Sequence, residues 1–132
     1  MDRMIFVNLP VTDLARSRAF WEGLGFGIEE AYTGPDSVAV VVSPTIYLML
    51  LTPARFADFV VGPVAEQAHG TRAIYCLSAE SPTEVDDLSA RALALGGGAW
   101  GDPLADGPMY SRSFTDPDGF VWEVMHMAME PA

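Results

Sequence analysis

The chain has 132 residues, half of them hydrophobic, and a formal net charge of −11. That length fits one domain or two small modules sharing a core, and the charge argues against nucleic acid and against an anionic membrane surface, both of which it repels. All seven basic residues are arginines, which excludes lysine Schiff-base chemistry and a P-loop, and the single Cys76 leaves neither an internal disulfide nor a multi-thiolate metal cluster. No basic segment leads into a long apolar run at the N-terminus, and no run is long enough to span a bilayer, so a soluble cytoplasmic protein is the expectation.

The first predicted strand runs from Met4 to Leu9. Thr12 or Asp13 is placed to cap the helix that follows, in which Leu14, Ser17, Trp21 and Leu24 recur at helical spacing with Phe20 beside them. Gly25 ends that helix, and strands are expected near Phe26–Ala31, Ser37–Val42 and Ile46–Thr52. A linker over 53–71 follows. Arg55–Val60 suggests a short helix within it, with Gly62-Pro63 and His69-Gly70 as loop around it.

The pattern then repeats. A strand is expected over Ala73–Ala79, and Ser81-Pro82-Thr83-Glu84 reads as a helix start, with Ser as cap, Pro in the first turn and Glu reaching back. Val85, Leu88, Ala92 and Leu95 form an apolar stripe, and Gly96 ends the helix. Strands follow near Gly98–Gly101, Tyr110–Thr115 and Phe120–Met127. The organisation is therefore a module over 1–52, the linker, and a second module over 72–132, each read as strand, helix and three strands. A sheet of such modules has one face covered by helices, and its other face must curl around a ligand or pack on a partner.

The most informative stretch is Phe114 to Val124. Asp116-Pro117-Asp118-Gly119 carries the residues of a type I turn, with a glycine that tolerates positive φ as the second strand starts. That strand alternates Val121, Glu123 and Met125 on one face with Phe120, Trp122 and Val124 on the other. A carboxylate sharing a face with Val and Met has left bulk water or guards a cavity, which is costly unless it binds a metal, a cation or a proton.

Two further segments carry a family resemblance. Asn8-Leu9-Pro10-Val11-Thr12-Asp13-Leu14, with Ser17, Phe20-Trp21 and Leu24-Gly25-Phe26, resembles the opening of a vicinal oxygen chelate protein, the superfamily of glyoxalases, bleomycin-resistance proteins and extradiol dioxygenases. Asp116-Pro117-Asp118-Gly119 with Glu123 resembles its closing hairpin. The resemblance implies an α+β fold: two βαβββ modules in one chain forming a cupped mixed sheet with helices on the outer face, often within a homodimer. It also implies a divalent ion held by His and Glu from both modules. Here the first-strand ligand position falls on Phe6, the end of the first module on Leu50 or Met49, and the start of the second module on Ile74; only Glu123 remains. A catalytic metal usually needs about three protein ligands, and Phe and Ile cannot coordinate one. The expectation is therefore no metal and no cofactor, with a divalent ion through Glu123, aided by Cys76 or His126, as the alternative.

On this reading Glu123 is the candidate catalytic group, as a general base, or a binder of a polar ligand group. Asn8 shares a face with Met4 and Phe6, and its amide suits recognition of a small polar ligand. Arg112, on a face with Tyr110 and Phe114, is placed either to pair with Glu123 and grip a carboxylate or to lie at the surface. Tyr110 offers a donor or a ring, and Phe6, Met49, Trp100 and Met125 are candidate apolar walls, although ordinary core packing is the stronger expectation for any one of them. Other catalytic patterns are missing: there is no Gly-x-Ser-x-Gly elbow and no His-Glu-x-x-His. The expected function is binding of a small organic molecule in a mainly apolar cavity; the alternative is a Glu-based or metal-dependent enzyme of glyoxalase, lyase, isomerase or dioxygenase type.

Overall fold

The computed structural model describes residues 1–65 and 70–128; His69 of the linker lies outside them. The chain divides into two compact units, Met1–Glu66 and Gln67–Ala132.

In the first unit, β1 (Ile5–Pro10) leads into α1 (Leu14–Gly23), followed by β2 (Gly27–Ile28), a 3-10 turn over Glu30–Tyr32, β3 (Ser37–Ser43), β4 (Ile46–Leu51) and α2 (Pro53–Phe59). The cap of α1 is Asp13, whose side chain accepts the Arg16 N–H. Gly25, at φ 103°, turns the chain out of the helix. The strand expected over Phe26–Ala31 shortens to two residues. Glu29 stops it by accepting the Ala31 N–H at 3.1 Å and so starting the 3-10 turn. The sheet order is β1-β4-β3-β2, with β1 and β4 parallel and the other pairs antiparallel.

The register sorts the side chains of this sheet. Val7 pairs with Leu48, Leu9 with Leu50, and Val38 and Val40 with those same two leucines. These residues meet the buried Phe20, Trp21 and Leu24 of α1 and its cap, and together they make the core of the unit. Phe6, Asn8, Ala39, Val41, Tyr47 and Met49 alternate to the opposite, helix-free face.

The second unit holds β5 (Ile74–Ser78), α3 (Pro82–Ala94), β6 (Gly98–Ala99), β7 (Leu104–Asp106), β8 (Met109–Thr115) and β9 (Val121–Met127). Ser81 caps α3 by accepting the Glu84 N–H, and the Glu84 carboxylate reaches back to the Glu80 N–H. The sheet order is β5-β9-β8-β6, with β7 also paired to β8. β7 was not expected from the sequence. Together β6 and β7 act as one interrupted strand along β8, facing its two ends at Phe114–Thr115 and Met109–Ser111. The break lies at Gly101–Pro103, where the Gly101 N–H turns to the Ser113 hydroxyl at 2.8 Å instead of a strand carbonyl.

Trp122, Val124 and Phe114 are buried against the α3 side with Val85 and Ala92. Leu95, expected to complete the apolar stripe of α3, is 38% exposed at the helix end. Ser89 is also buried in α3, and its hydroxyl has no hydrogen-bond partner. Burial of an unsatisfied hydroxyl is unfavourable, and serine is a weaker helix former than alanine. Ser89→Ala is therefore expected to raise unfolding stability by about 0.5–1 kcal/mol in urea denaturation; a clear loss of stability would show that the hydroxyl is needed.

Candidate functional site

The closing hairpin is organised by Asp116. The Gly119 N–H closes the turn on the Asp116 carbonyl at 3.0 Å, with Gly119 at φ 88°. The Asp116 side chain is 5% exposed. It accepts the Asp118 N–H at 2.9 Å, the Phe120 N–H at 3.1 Å and the Trp122 indole N–H at 3.0 Å. Sequence reasoning saw Asp116 only as a turn former; the signal for its second role was the tryptophan six residues on. Burial pushes its carboxyl up to about 6, against the pull of the Trp122, Phe120 and Asp118 donors.

Glu123, seven residues on, has a different setting. It is half-buried on β9, where its cross-strand partners are Cys76 of β5 and Ser113 of β8. Val121, Met125, Ser78, Ser111 and Thr115 share that helix-free face. Cys76 is exposed as a residue, yet partial burial first, and the charge of Glu123 second, push its thiol up. Cys76 is therefore a protonated thiol at neutral pH and a poor nucleophile.

The two units correspond residue by residue. The Val11 N–H donates to the Leu51 carbonyl at 2.8 Å, and the Ala79 N–H donates to the Met125 carbonyl at 2.7 Å, each just before its helix cap. Phe6 thus corresponds to Ile74, Asn8 to Cys76, and Met49 to Glu123. The Asn8–Met49 pair of one unit stands where the Cys76–Glu123 pair stands in the other. This decides between the two positions left open at the end of the first module. Leu50 is fully buried on the helix side, so Met49 holds the helix-free position.

Phe6 is 45% exposed and stacks on Tyr47 at 5.4 Å, while Tyr32 meets Tyr47 edge-on at 6.3 Å. Tyr47 and Tyr32 were not singled out from the sequence; alternation of Tyr47 with Met49 on β4 was the available signal for the first. Asn8 shares the Phe6 face, and its amide donates to the Phe6 carbonyl at 3.3 Å. Met125 shares the face of Glu123. Trp100 is exposed in the break between β6 and β7, outside any strand.

Arg112 and Tyr110 require a correction. Because Ser113 is the partner of Glu123, Arg112 and Tyr110 project from the opposite, helix side of β8. There the Tyr110 hydroxyl donates to Asp86 of α3 at 2.5 Å, and the Arg112 Nε donates to Asp86 and to the Tyr110 oxygen, each at 3.1 Å. The expected Arg112–Glu123 pair does not form. His126 likewise lies opposite Glu123, as alternation predicted, with its Nδ1 3.0 Å from the Ala79 carbonyl.

Comparison with known proteins follows from this geometry. A sequence model of the family described as Bleomycin resistance protein-like N-terminal matches residues 3–43. No curated protein sequence matches the chain. Among solved structures, a glyoxalase-related enzyme from Fulvimarina pelagi is similar with a TM-score of 0.83 and 21% identity, covering 99% of this chain and 92% of that one. A glyoxalase/bleomycin resistance protein/dioxygenase family enzyme from Burkholderia phytofirmans PsJN gives 0.78 and 17%, covering 96% and 99%. Lactoylglutathione lyase from Agrobacterium tumefaciens gives 0.69 and 22%, covering 96% and 94%. These structural matches show a glyoxalase-like fold, and the α+β architecture expected from the opening segment and the closing hairpin is the one observed.

The divalent metal that the resemblance implies does not suit the residues here. Of the four corresponding positions, Phe6 and Ile74 have no donor, Met49 offers a thioether that binds hard cations poorly, and only Glu123 is a ligand for them. Among the described residues, no three His, Cys, Asp or Glu side chains converge.

Asp116 yields a two-part prediction. Asp116→Asn turns an amide NH2 toward one of the three donors and is expected to cost about 1–3 kcal/mol. The folded chain also holds the Asp116 proton more tightly than the unfolded chain, where the ordinary value is 3.8. This group's contribution to stability is therefore complete below that ordinary value and is lost as pH rises through about 6. The Trp122 indole N–H resonance should titrate with a midpoint near that pH; a flat resonance across the range would show that the carboxylate stays charged.

Proposed function

We propose that the protein binds a small organic molecule against the helix-free faces of its sheets and does so without the divalent metal of its metal-dependent relatives. The observation that carries this reading is the replacement of three ligand positions by Phe6, Met49 and Ile74 on those faces. Apolar and aromatic walls with a few polar groups suit capture of a largely apolar ligand. Asn8 supplies a polar group on the face of the first unit, and Ser113 and Glu123 supply them on the face of the second. Sequestration requires only affinity, so it is compatible with the loss of an electrophilic ion.

A second reading rests on the retention of Glu123 between Cys76 and Ser113. In it, Glu123 serves as a general base for isomerisation or lyase chemistry on the bound molecule. A binder returns its ligand unchanged, whereas this enzyme would convert it, which mass spectrometry of the recovered ligand distinguishes. The chain is also proposed to work as a homodimer, and light scattering should then report twice the chain mass.

Elemental analysis of the purified protein tests the main reading. Zn, Ni, Mn and Fe are expected well below one per chain, and ligand affinity should survive a chelator within about twofold. Stoichiometric metal whose removal abolishes binding would overturn it.

A further inference from the structure

We infer that the molecule bound by this protein is an organic cation, such as an amine or amidinium on an apolar or aromatic body. This rests on the binding reading above and adds the sign of the ligand's charge. The strand register allows both helix-free faces to be read for charge, each by itself. The face of the first unit carries Phe6, Asn8, Ala39, Val41, Tyr47 and Met49 and no ionisable acid or base other than the Tyr47 phenol. The face of the second carries two carboxylates, Glu123, paired with Cys76 and Ser113, and Asp106, paired with Met109. Among the described strand residues, neither face holds an arginine or a histidine.

Three of the arginines are held in ion pairs away from these faces. Arg112 is held by Asp86 on the helix side, Arg18 by Glu22 and Glu30, and Arg55 by Asp58. An anionic ligand lodged on either face would find no guanidinium among the strand side chains there and would leave water unpaired by them, which is costly. On the face of the second unit a cation meets the Glu123 carboxylate, and on the face of the first, taken by itself, the π faces of Phe6, Tyr47 and Tyr32; each attracts positive charge. The net charge of −11 steers it in the same direction from a distance.

Three probes of one shape and different charge test this: 1-naphthylmethylamine, 1-naphthalenemethanol and 1-naphthoate, titrated calorimetrically at low salt. The amine is expected to bind about tenfold or more tighter than the carboxylate, with the alcohol between them, and the gap should narrow as salt is added. Glu123→Gln should weaken the amine about fivefold or more while leaving the alcohol within about twofold; Glu123→Asp should retain the amine preference. Equal affinities, or a preference for the carboxylate, would overturn the charge assignment and leave the binding reading standing. Glu123→Gln weakening the alcohol as much as the amine would also overturn it, since the side chain would then act through shape. Failure of all three probes to bind would remove both.

Discussion

A pleated strand sends alternate side chains to opposite faces, so the register of β8 against β9 decides which groups this protein can offer to a ligand. A slip of one residue would carry Trp122 and Val124 to the helix-free face and set Glu123 against α3. The Asp116 carboxylate opposes that slip. It ties the Asp118 and Phe120 backbone to the turn and clamps the Trp122 indole on the helix side. With Trp122 fixed inward, Glu123 must point the other way. One acid therefore positions the other: the buried carboxylate is structural, and its hydrogen bonds determine where the half-buried one stands.

The internal correspondence of the two units shows what has changed chemically at that second acid. Met49 and Glu123 occupy equivalent strand positions, as do Phe6 and Ile74. At such positions a metal-binding relative needs hard or borderline donors. Phe6 instead supplies a ring that stacks on Tyr47, which extends an apolar surface. Trp21, Phe20, Trp122 and Phe114 are buried on the helix side of each sheet, and Ala39, Leu51 and Val121 are buried on the opposite faces, whereas Phe6 and Ile74 on those faces are exposed. An exchange at Phe6 or Ile74 therefore acts on the surface of a face whose other positions help to form the core.

Much of this architecture was legible in the sequence because its determinants are local. Asp13 and Ser81 cap their helices through their own side chains, and Gly25 and Gly96 end the helices at positive φ. The alternation of Trp122, Glu123 and Val124 also placed Glu123 and His126 on opposite faces correctly. What was not legible depends on contacts between strands. Tyr110 and Arg112 alternate as expected, yet only the pairing of Ser113 with Glu123 reveals that they face α3 and not the side of Glu123. β7 lacks β-branched residues and sits among Pro103, Asp106, Gly107 and Pro108, so it reads as loop until β8 is there to pair with it. Asp116 carries turn chemistry in its own sequence, and its burial appears only when Trp122 folds back on it.

The contrast between the acids also explains why their surroundings push toward different chemistry. Asp116 sits where burial favours its neutral form, while three N–H donors keep the site suitable for its charged form. Glu123 stands beside a thiol that its own charge helps keep protonated. A neutral Cys76 does not compete as a nucleophile and does not repel a positive group approaching the carboxylate. Arg112, one residue from the strand partner of Glu123, stands on the other face by alternation and pairs there with Asp86. The same alternation that buries Trp122 therefore keeps this guanidinium away from the Glu123 carboxylate.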